Sequence, residues 1–284
     1  MKINIIFFIA FLLLISCSKK DHHGKTVKIA YTQSYESKIL AMVCNAVLND
    51  MGYASSVHLT KHDSVYPMLS NKQLDVYLST QLPLSHISRF KEHRDSLQTI
   101  GTSYCPITNG LVVPGYVSIN AITQLNYNAN KFDHCIYVNK RNKLLQHTTH
   151  GVRQKYNLDF DIIELTLSEL DSIIDTCYSM KKWIVYACPK PNVFWKKHQH
   201  KYLYDVLKLF PKEHLNTVAH KDFKADYPIV HKFLSKFSLS EDRLETLMYE
   251  FSITPNDRHH DIIKAWYKTH AHMLQTFYPD EWRE

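Results

Sequence analysis

The sequence predicts an α/β protein built on a parallel sheet, and three observations point there. Short apolar runs alternate with helix-period runs from Val27 to Ser79, the strand–helix–strand–helix–strand order of a sheet covered on both faces. The same rhythm restarts at His134. The 284 residues are 45% hydrophobic and 21% charged, enough to bury one large core or the cores of two lobes.

The first strand is VKIAY, residues 27–31. A helix follows over Glu36 to Met51, with Ile39, Leu40, Val43, Val47 and Met51 on one face and Gly52 as its stop. SVHLT (56–60) is the second strand, Asp63 is expected to cap a short helix ending at Leu69, and DVYLS (75–79) is the third strand. Pro83 ends that strand, because proline cannot donate to a ladder and holds Leu82 extended. Asp75 reads as a cap or turn partner. Gly110 to Pro114 forms a short apolar strand, and SINAITQL a small helix capped by Ser118. HCIYVN (134–139), DFDIIEL (159–165) and KKWIVYA (181–187) are later strands. Beyond Phe210 the chain is expected to turn to helices, one carrying Leu244, Leu247, Met248 and Phe251, another Ile262, Ile263, Trp266, Tyr267 and His270. With only six glycines there is no G-x-G-x-x-G and no P-loop.

The N-terminus reads as a targeting segment. MKINIIFFIAFLLLISC places Lys2 before about a dozen apolar residues, too few for a stable membrane span but suited to a secretory signal. Its L-I-S-C ending resembles a bacterial lipobox, with Cys17 as the lipidated residue. Residues 18–25, SKKDHHGK, form a polar tether. The expected location is the cell envelope, on the periplasmic or extracytoplasmic face. Five further cysteines remain, Cys44, Cys105, Cys135, Cys177 and Cys188, without a C-x-x-C spacing. An odd number leaves at least one free or paired with another chain.

The 34 basic and 27 acidic residues give +7 without a basic block, which argues against nucleic-acid binding. The histidine pairs lack supporting carboxylate or thiolate spacing, so neither metal nor cofactor is implied. Cys188 is the sole candidate nucleophile. Pro189 removes a backbone N–H where an oxyanion donor would be useful, so an enzyme is not expected.

Ligands of open parallel sheets bind outside the carboxyl ends of the strands. Three segments lie just past such ends: Thr32 to Ser37, Thr80 to His86, and Ala187 to Phe194. These segments, in this order, resemble the substrate-binding proteins of glycine betaine/choline-type (quaternary amine) ABC transporters. IAYTQSYES is similar to that family's Gly-Tyr-x-x-Trp-x-Glu-Ser. LDVYLSTQLPLSH is similar to its Asp-x-x-x-x-x-Trp-x-Pro-x-x-His. GTSYCPITNGLVVPGYV is similar to its Gly-Thr-x-Tyr…Gly-Leu-Val-Val-Pro-x-Tyr-Val. KKWIVYACPKPNVF stands where the family has a strand leading into Trp-x-Pro-His-x-x-Phe, and KDFKADYPIVHKFLSKFSLS resembles its return segment. The likeness spans roughly residues 26 to 275.

The resemblance implies a two-lobed, periplasmic-binding-protein-like (type II) fold with a ligand cleft between the lobes. Lobe 1 would be residues 26–112 and 214–284, and lobe 2 residues 113–213. It implies partnership with an ABC permease and its ATPase, attachment to the membrane through the lipid anchor, and an aromatic cage around a quaternary ammonium. A methylated nitrogen has no N–H to donate, so aromatic faces attract it, by roughly 0.5–2 kcal/mol each.

The cage residues depart from that pattern. Ser34 and Gln81 stand where the first two tryptophans would be, Cys188 or Ala187 near the third, and Lys190 or Pro191 in place of the carboxylate-gripping His. Tyr31, Tyr35, Tyr104 and Tyr186 could rebuild a weaker cage. Alternatively, Ser34, Gln81 and Lys190 make a polar cleft for a different solute, and this second reading is the one preferred. The expected ligand-facing residues are Ser34, Tyr35, Gln81, Tyr104, Cys188 and Lys190. The expected function is capture of a small zwitterionic or polar solute for an importer, the alternative being a lipid-anchored sensor of the same fold.

Overall fold

The computed structural model describes residues 25–280. Cys17 and the signal and tether segments up to residue 24 lie outside them. Strand β1 (Val27–Tyr31) enters helix α1 (Tyr35–Asp50), whose buried face includes Ile39, Leu40, Val43 and Val47. Gly52 then turns the chain at φ 80°, a left-handed conformation that glycine adopts at little cost. Next come β2 (Ser55–Leu59), α2 (His62–Ser70), β3 (Val76–Leu82), α3 (Ile87–Glu92) and β4 (Leu97–Pro114). Two 3₁₀ segments (Ile122–Gln124 and Asn126–Phe132) lead to β5 (Cys135–Asn139), α4 (Lys143–Lys155), β6 (Asp161–Leu165) and α5 (Leu167–Ser179). The chain continues through β7 (Tyr186–Lys190), α6 (Phe194–Lys197), β8 (His200–Tyr202) and β9 (Glu213–His220). It closes with α7 (Phe223–Asp226), α8 (Pro228–Lys236), α9 (Glu241–Ser252) and α10 (His259–Gln275).

The sheet is mixed, in the order β2-β1-β3-β9-β4-β7-β5-β6, with β8 on β4. The βαβ units pair in parallel (β1 with β2 and β3; β5 with β6 and β7), but β9 runs antiparallel to β3 and β4, and β7 antiparallel to β4. Strand β9 and the part of β4 before Gly110 are what the sequence reading missed; Gly110 to Pro114 is the expected strand. Glycine and proline interrupt LQTIGTSYCPITNG, and three register shifts between Thr99 and Ile107 absorb those irregular residues without ending the strand. At Gly101 an added Cβ would lie 2.8 Å from the Leu234 carbonyl oxygen, so α8 presses directly on the strand backbone. Strand β4 pairs with β9 up to Ile107 and with β7 from Thr108 onward.

Other expectations are corrected locally. Asp63 does not cap α2; Lys61 holds the cap position, and Asp63 is ion-paired with Arg89 at 2.7 Å. Ser118 caps no helix. There the Gln124 side chain instead accepts the N–H groups of Asn120 and Ala121 and holds a 3₁₀ turn. Strand β7 begins at Tyr186 and runs through Pro189 to Lys190, three residues beyond the expected end. Asp75 accepts the Lys28 N–H at 2.7 Å, tying β3 to β1.

Strand alternation divides the core. Ile29, Val76 and Leu78 point towards α1, α8, α9 and α10, whereas Ala30 and Tyr77 meet Tyr66 and Leu69 of α2. Farther along, Leu111, Val113, Ile136 and Val138 pack on α4, and Val112, Tyr186 and Cys188 face Leu170 and Ile174 of α5. Each large apolar side chain buried this way contributes about 1.5–3 kcal/mol of transfer free energy. All five described cysteines are free thiols.

Candidate functional site: an inter-strand cavity

A cavity of about 750 Å³ opens where the sheet ends meet. One wall is the turn from β1 into α1. Ser37 accepts the Thr32 N–H at 3.0 Å, fixing a tight entry that presents Gln33, Ser34, Tyr35 and Glu36 to the space. Next to it stands Gln81, the penultimate residue of β3. His86 closes this turn from both sides: its own N–H donates to the Gln81 carbonyl at 3.0 Å, and its Nδ1 accepts the Gln81 N–H at 2.9 Å. The remaining ring nitrogen lies 2.9 Å from His62 Nε2. Burial, with the nearby His62 and Arg89, pushes His86 down to about 3, so it is a neutral imidazole that shapes the Gln81 turn.

The opposite wall comes from the other end of the sheet: Pro191, Asn192 and Val193 after β7, Asn142 at the N-cap of α4, and Leu167 at the start of α5. The floor is made by the crossing strands, with Ile107 and Asn109 of β4 and Glu213 and Leu215 of β9. Met248 and Asn256 of the C-terminal helical region complete it.

Three charged groups line this space. Glu213 is 2% exposed, and its carboxylate accepts the Ser85 N–H at 2.7 Å and the Ser85 hydroxyl at 2.8 Å. Glu36 is raised above the usual carboxylate range by burial, an effect opposed by its hydrogen bond from Ser34. Lys38 donates to His259 Nδ1 at 2.9 Å and to Asn256 at 3.4 Å, and burial lowers its pKa.

Of the six expected ligand-facing residues, Ser34, Tyr35 and Gln81 line the cavity; Tyr104, Cys188 and Lys190 do not. Tyr104 is buried in the core among the helices, beside the carboxylates of Glu241 and Glu245. Cys188 is 1% exposed inside β7, opposite Gly110, and burial raises its thiol pKa. Lys190 is committed elsewhere: its ammonium pairs with Glu241 at 2.7 Å and sits 4.9 Å above the Trp195 ring. Nor does a four-tyrosine cage assemble. Tyr31 and Tyr35 reach the cavity, while Tyr186 is buried with its hydroxyl 2.7 Å from His200 Nδ1. No tryptophan among the described residues lines the cavity. Sequence reasoning missed Lys38, Asn109, Asn142, Glu213 and Asn256, and it placed Asn192 in a cleft segment without naming it. The strand-end rule applied to β5 would have found Asn142.

Among the described residues no helix is long and apolar enough to cross a membrane. Comparison with solved structures finds the same fold in several binding proteins. A glycine betaine, L-proline-binding protein of Borrelia burgdorferi is 20% identical with a TM-score of 0.74, covering 91% of this chain and 98% of that one. A lactococcal protein in its closed conformation, complexed with glycine betaine, is also 20% identical with a TM-score of 0.74, covering 90% and 100%. An ABC-transporter choline-binding protein in complex with choline is 17% identical with a TM-score of 0.67, covering 89% and 91%. The fold is thus the mixed α/β architecture of periplasmic-binding-protein-like structures. The family model describing the substrate-binding domain of ABC-type glycine betaine transport systems matches residues 25–269, and this chain belongs to that family.

Proposed function

We propose that this protein is the lipid-anchored receptor of an ABC importer, capturing a small polar or zwitterionic solute and delivering it to a permease with its ATPase. The observation that carries this reading is the cavity itself, lined from both ends of the sheet and large enough for a metabolite. Capture proceeds by closure of two lobes, residues 26–112 with 214–284 against residues 113–213. The exchange of β4 from β9 to β7 at Ile107 and Thr108 supports a chain crossing in that neighbourhood, five residues before the boundary read from the sequence. A ligand that touches both walls stabilises the closed state by its differential affinity, which is all the mechanism requires.

The ligand is altered relative to a caged quaternary amine, because Ser34 and Gln81 put hydroxyl and amide groups on the cavity wall. Cys17 supplies the anchor. Two experiments test the reading. Calorimetric titration against polar solutes is expected to find a ligand of micromolar affinity or better, and micromolar binding of glycine betaine, choline or carnitine would overturn the altered-ligand reading. Cys17→Ser is expected to move the protein from the membrane fraction to the soluble fraction, and an unchanged distribution would sink the anchor.

A further inference from the structure

The cavity offers hydrogen-bonding groups of both polarities, and its charged groups do not balance. Two carboxylates, Glu36 and Glu213, face one ammonium, Lys38, which already spends donors on Asn256 and His259. Among the described residues neither carboxylate has a basic side chain within ion-pair distance; Glu213 has only Ser85, and Glu36 has the Ser34 hydroxyl. A desolvated carboxylate without a cation is costly, and the usual remedy is a cationic partner.

The rest of the lining is carboxamide-rich. Gln33, Gln81, Asn109, Asn142, Asn192 and Asn256 all border the space. Four are anchored at one end of the amide. Asn142 accepts the Leu145 N–H, Asn192 the Phe194 N–H and Asn256 a Lys38 N–H, leaving their NH₂ groups for a ligand. Asn109 donates to the Pro211 carbonyl, leaving its oxygen. The lining therefore offers acidic acceptors together with neutral donors, the complement of a molecule with both N–H groups and a carboxylate or hydroxyl.

We infer that the solute is a zwitterion or polyfunctional cation whose positive nitrogen carries hydrogens, a primary or secondary ammonium or a guanidinium, and that Glu213 and Glu36 receive it. This rests on the solute-receptor reading above and narrows it. A trimethylated nitrogen offers these carboxylates no donor, and two tyrosines edging the space replace a full aromatic cage only in part. Sites built to hydrogen-bond a polar group discriminate strongly against analogues that lack it.

The test is calorimetric titration of the mature protein with solutes matched except for methylation: glycine through sarcosine and dimethylglycine to glycine betaine, and ethanolamine against choline. Arginine and spermidine serve as larger N–H cations, with myo-inositol, glycerol and succinate as neutral and anionic controls. The N–H cations are expected to bind, glycine and ethanolamine each at least about tenfold tighter than its trimethylated counterpart. Equal or tighter binding of glycine betaine or choline overturns the inference and leaves the receptor reading standing, as does binding confined to the neutral or anionic controls. Absence of binding by every class overturns both. Glu213→Gln keeps an acceptor for Ser85 and is expected to weaken the N–H cation at least about tenfold with an unchanged circular dichroism spectrum. A folded Glu36→Gln/Glu213→Gln protein that keeps full affinity also overturns the inference; the methylation series decides the matter without any variant.

Discussion

The two walls of the cavity differ in how directly the chain leads to them. On the β1–β3 side the residues just beyond each apolar run face the space: Ser34 and Tyr35 follow β1, and Gln81 stands near the end of β3, paired antiparallel with Leu215 of β9. On the β7 side the strand continues three residues past its apolar run, because Cys188, Pro189 and Lys190 pair antiparallel with Gly110, Asn109 and Thr108 of β4. Cys188 and Lys190, which would have faced ligand, are absorbed into the sheet, and Pro189, Pro191, Asn192 and Val193 line the cavity instead. A strand-end rule is only as good as the knowledge of where a strand ends, and a partner strand from elsewhere in the chain sets that end.

The sharpest way to break this contrast is at Tyr104. It was grouped with the cavity by motif, yet lies 1% exposed in the helical core. Tyr104→Ala is expected to cost about 3–5 kcal/mol, as truncations of buried aromatics do, and to lower the melting temperature by roughly 10 °C. Thermal unfolding followed by circular dichroism measures it. A melting temperature within a degree or two of wild type, together with lost ligand binding, would return Tyr104 to the site.

The walls also titrate in opposite directions. Behind the β7 wall Glu245 of α9 is buried, faces Lys190, Lys196 and Glu241, accepts the Asn192 N–H at 3.4 Å, and is pushed up to about 7 chiefly by burial. A carboxyl group raised from 4.5 favours the folded state at acid pH, and that contribution is lost as pH rises through about 7. Behind the other wall His86 is depressed from 6.5 to about 3, so its contribution is present above 6.5 and lost as pH falls towards 3. At about 1.4 kcal/mol per pH unit, each displacement corresponds to roughly 3–5 kcal/mol. In urea melts from pH 4 to 8, Glu245→Gln is expected to remove the decline at higher pH and leave the acid-side loss intact. His86→Asn is expected to do the reverse. Variants with superimposable profiles would remove this electrostatic distinction between the walls.

Gln81→Ala addresses the legible wall. The side chain is half-buried at a strand end, so its loss is expected to weaken the solute about tenfold while shifting the melting temperature by no more than about 2 °C. Equal loss of affinity and stability would make Gln81 a structural residue of the His86 turn.

How much the sequence revealed follows the same physical line. Local signals sufficed for the βαβ units, for α1 with its Gly52 stop, and for α9 and α10, because a single helical stripe or alternating run defines each. β9 and the part of β4 before Gly110 were hidden because their stability comes from pairing with each other across more than a hundred residues, while Gly101, Pro106 and polar side chains blur their period. The cavity floor was hidden for the same reason. Asn109 and Glu213 lie on those two strands; Glu213 sits in no recognisable motif, and Asn109 falls in the unspecified middle of the Gly-Thr-x-Tyr…Gly-Leu-Val-Val-Pro-x-Tyr-Val stretch. Asn256 was out of reach altogether, since only the packing of the C-terminal helices against α1 brings it beside Lys38.

The smallest expected effect is the one that most cleanly separates position in a motif from position in space. Lys190 stands where the family pattern has a carboxylate-gripping residue, but its ammonium lies 2.7 Å from Glu241 and over the Trp195 ring. The Glu241 side chain is half-exposed, so solvent screens the pair and its worth is about 0–1 kcal/mol. Lys190→Met keeps the aliphatic stem over Trp195 and removes only the charge. The expected outcome is a melting temperature within about 2 °C of wild type and solute affinity within about threefold, because Asn192 and Val193, not Lys190, face the cavity. A tenfold or larger loss of affinity at unchanged stability would mean that Lys190 leaves Glu241 when ligand arrives and grips it, and that closure redraws the β7 wall.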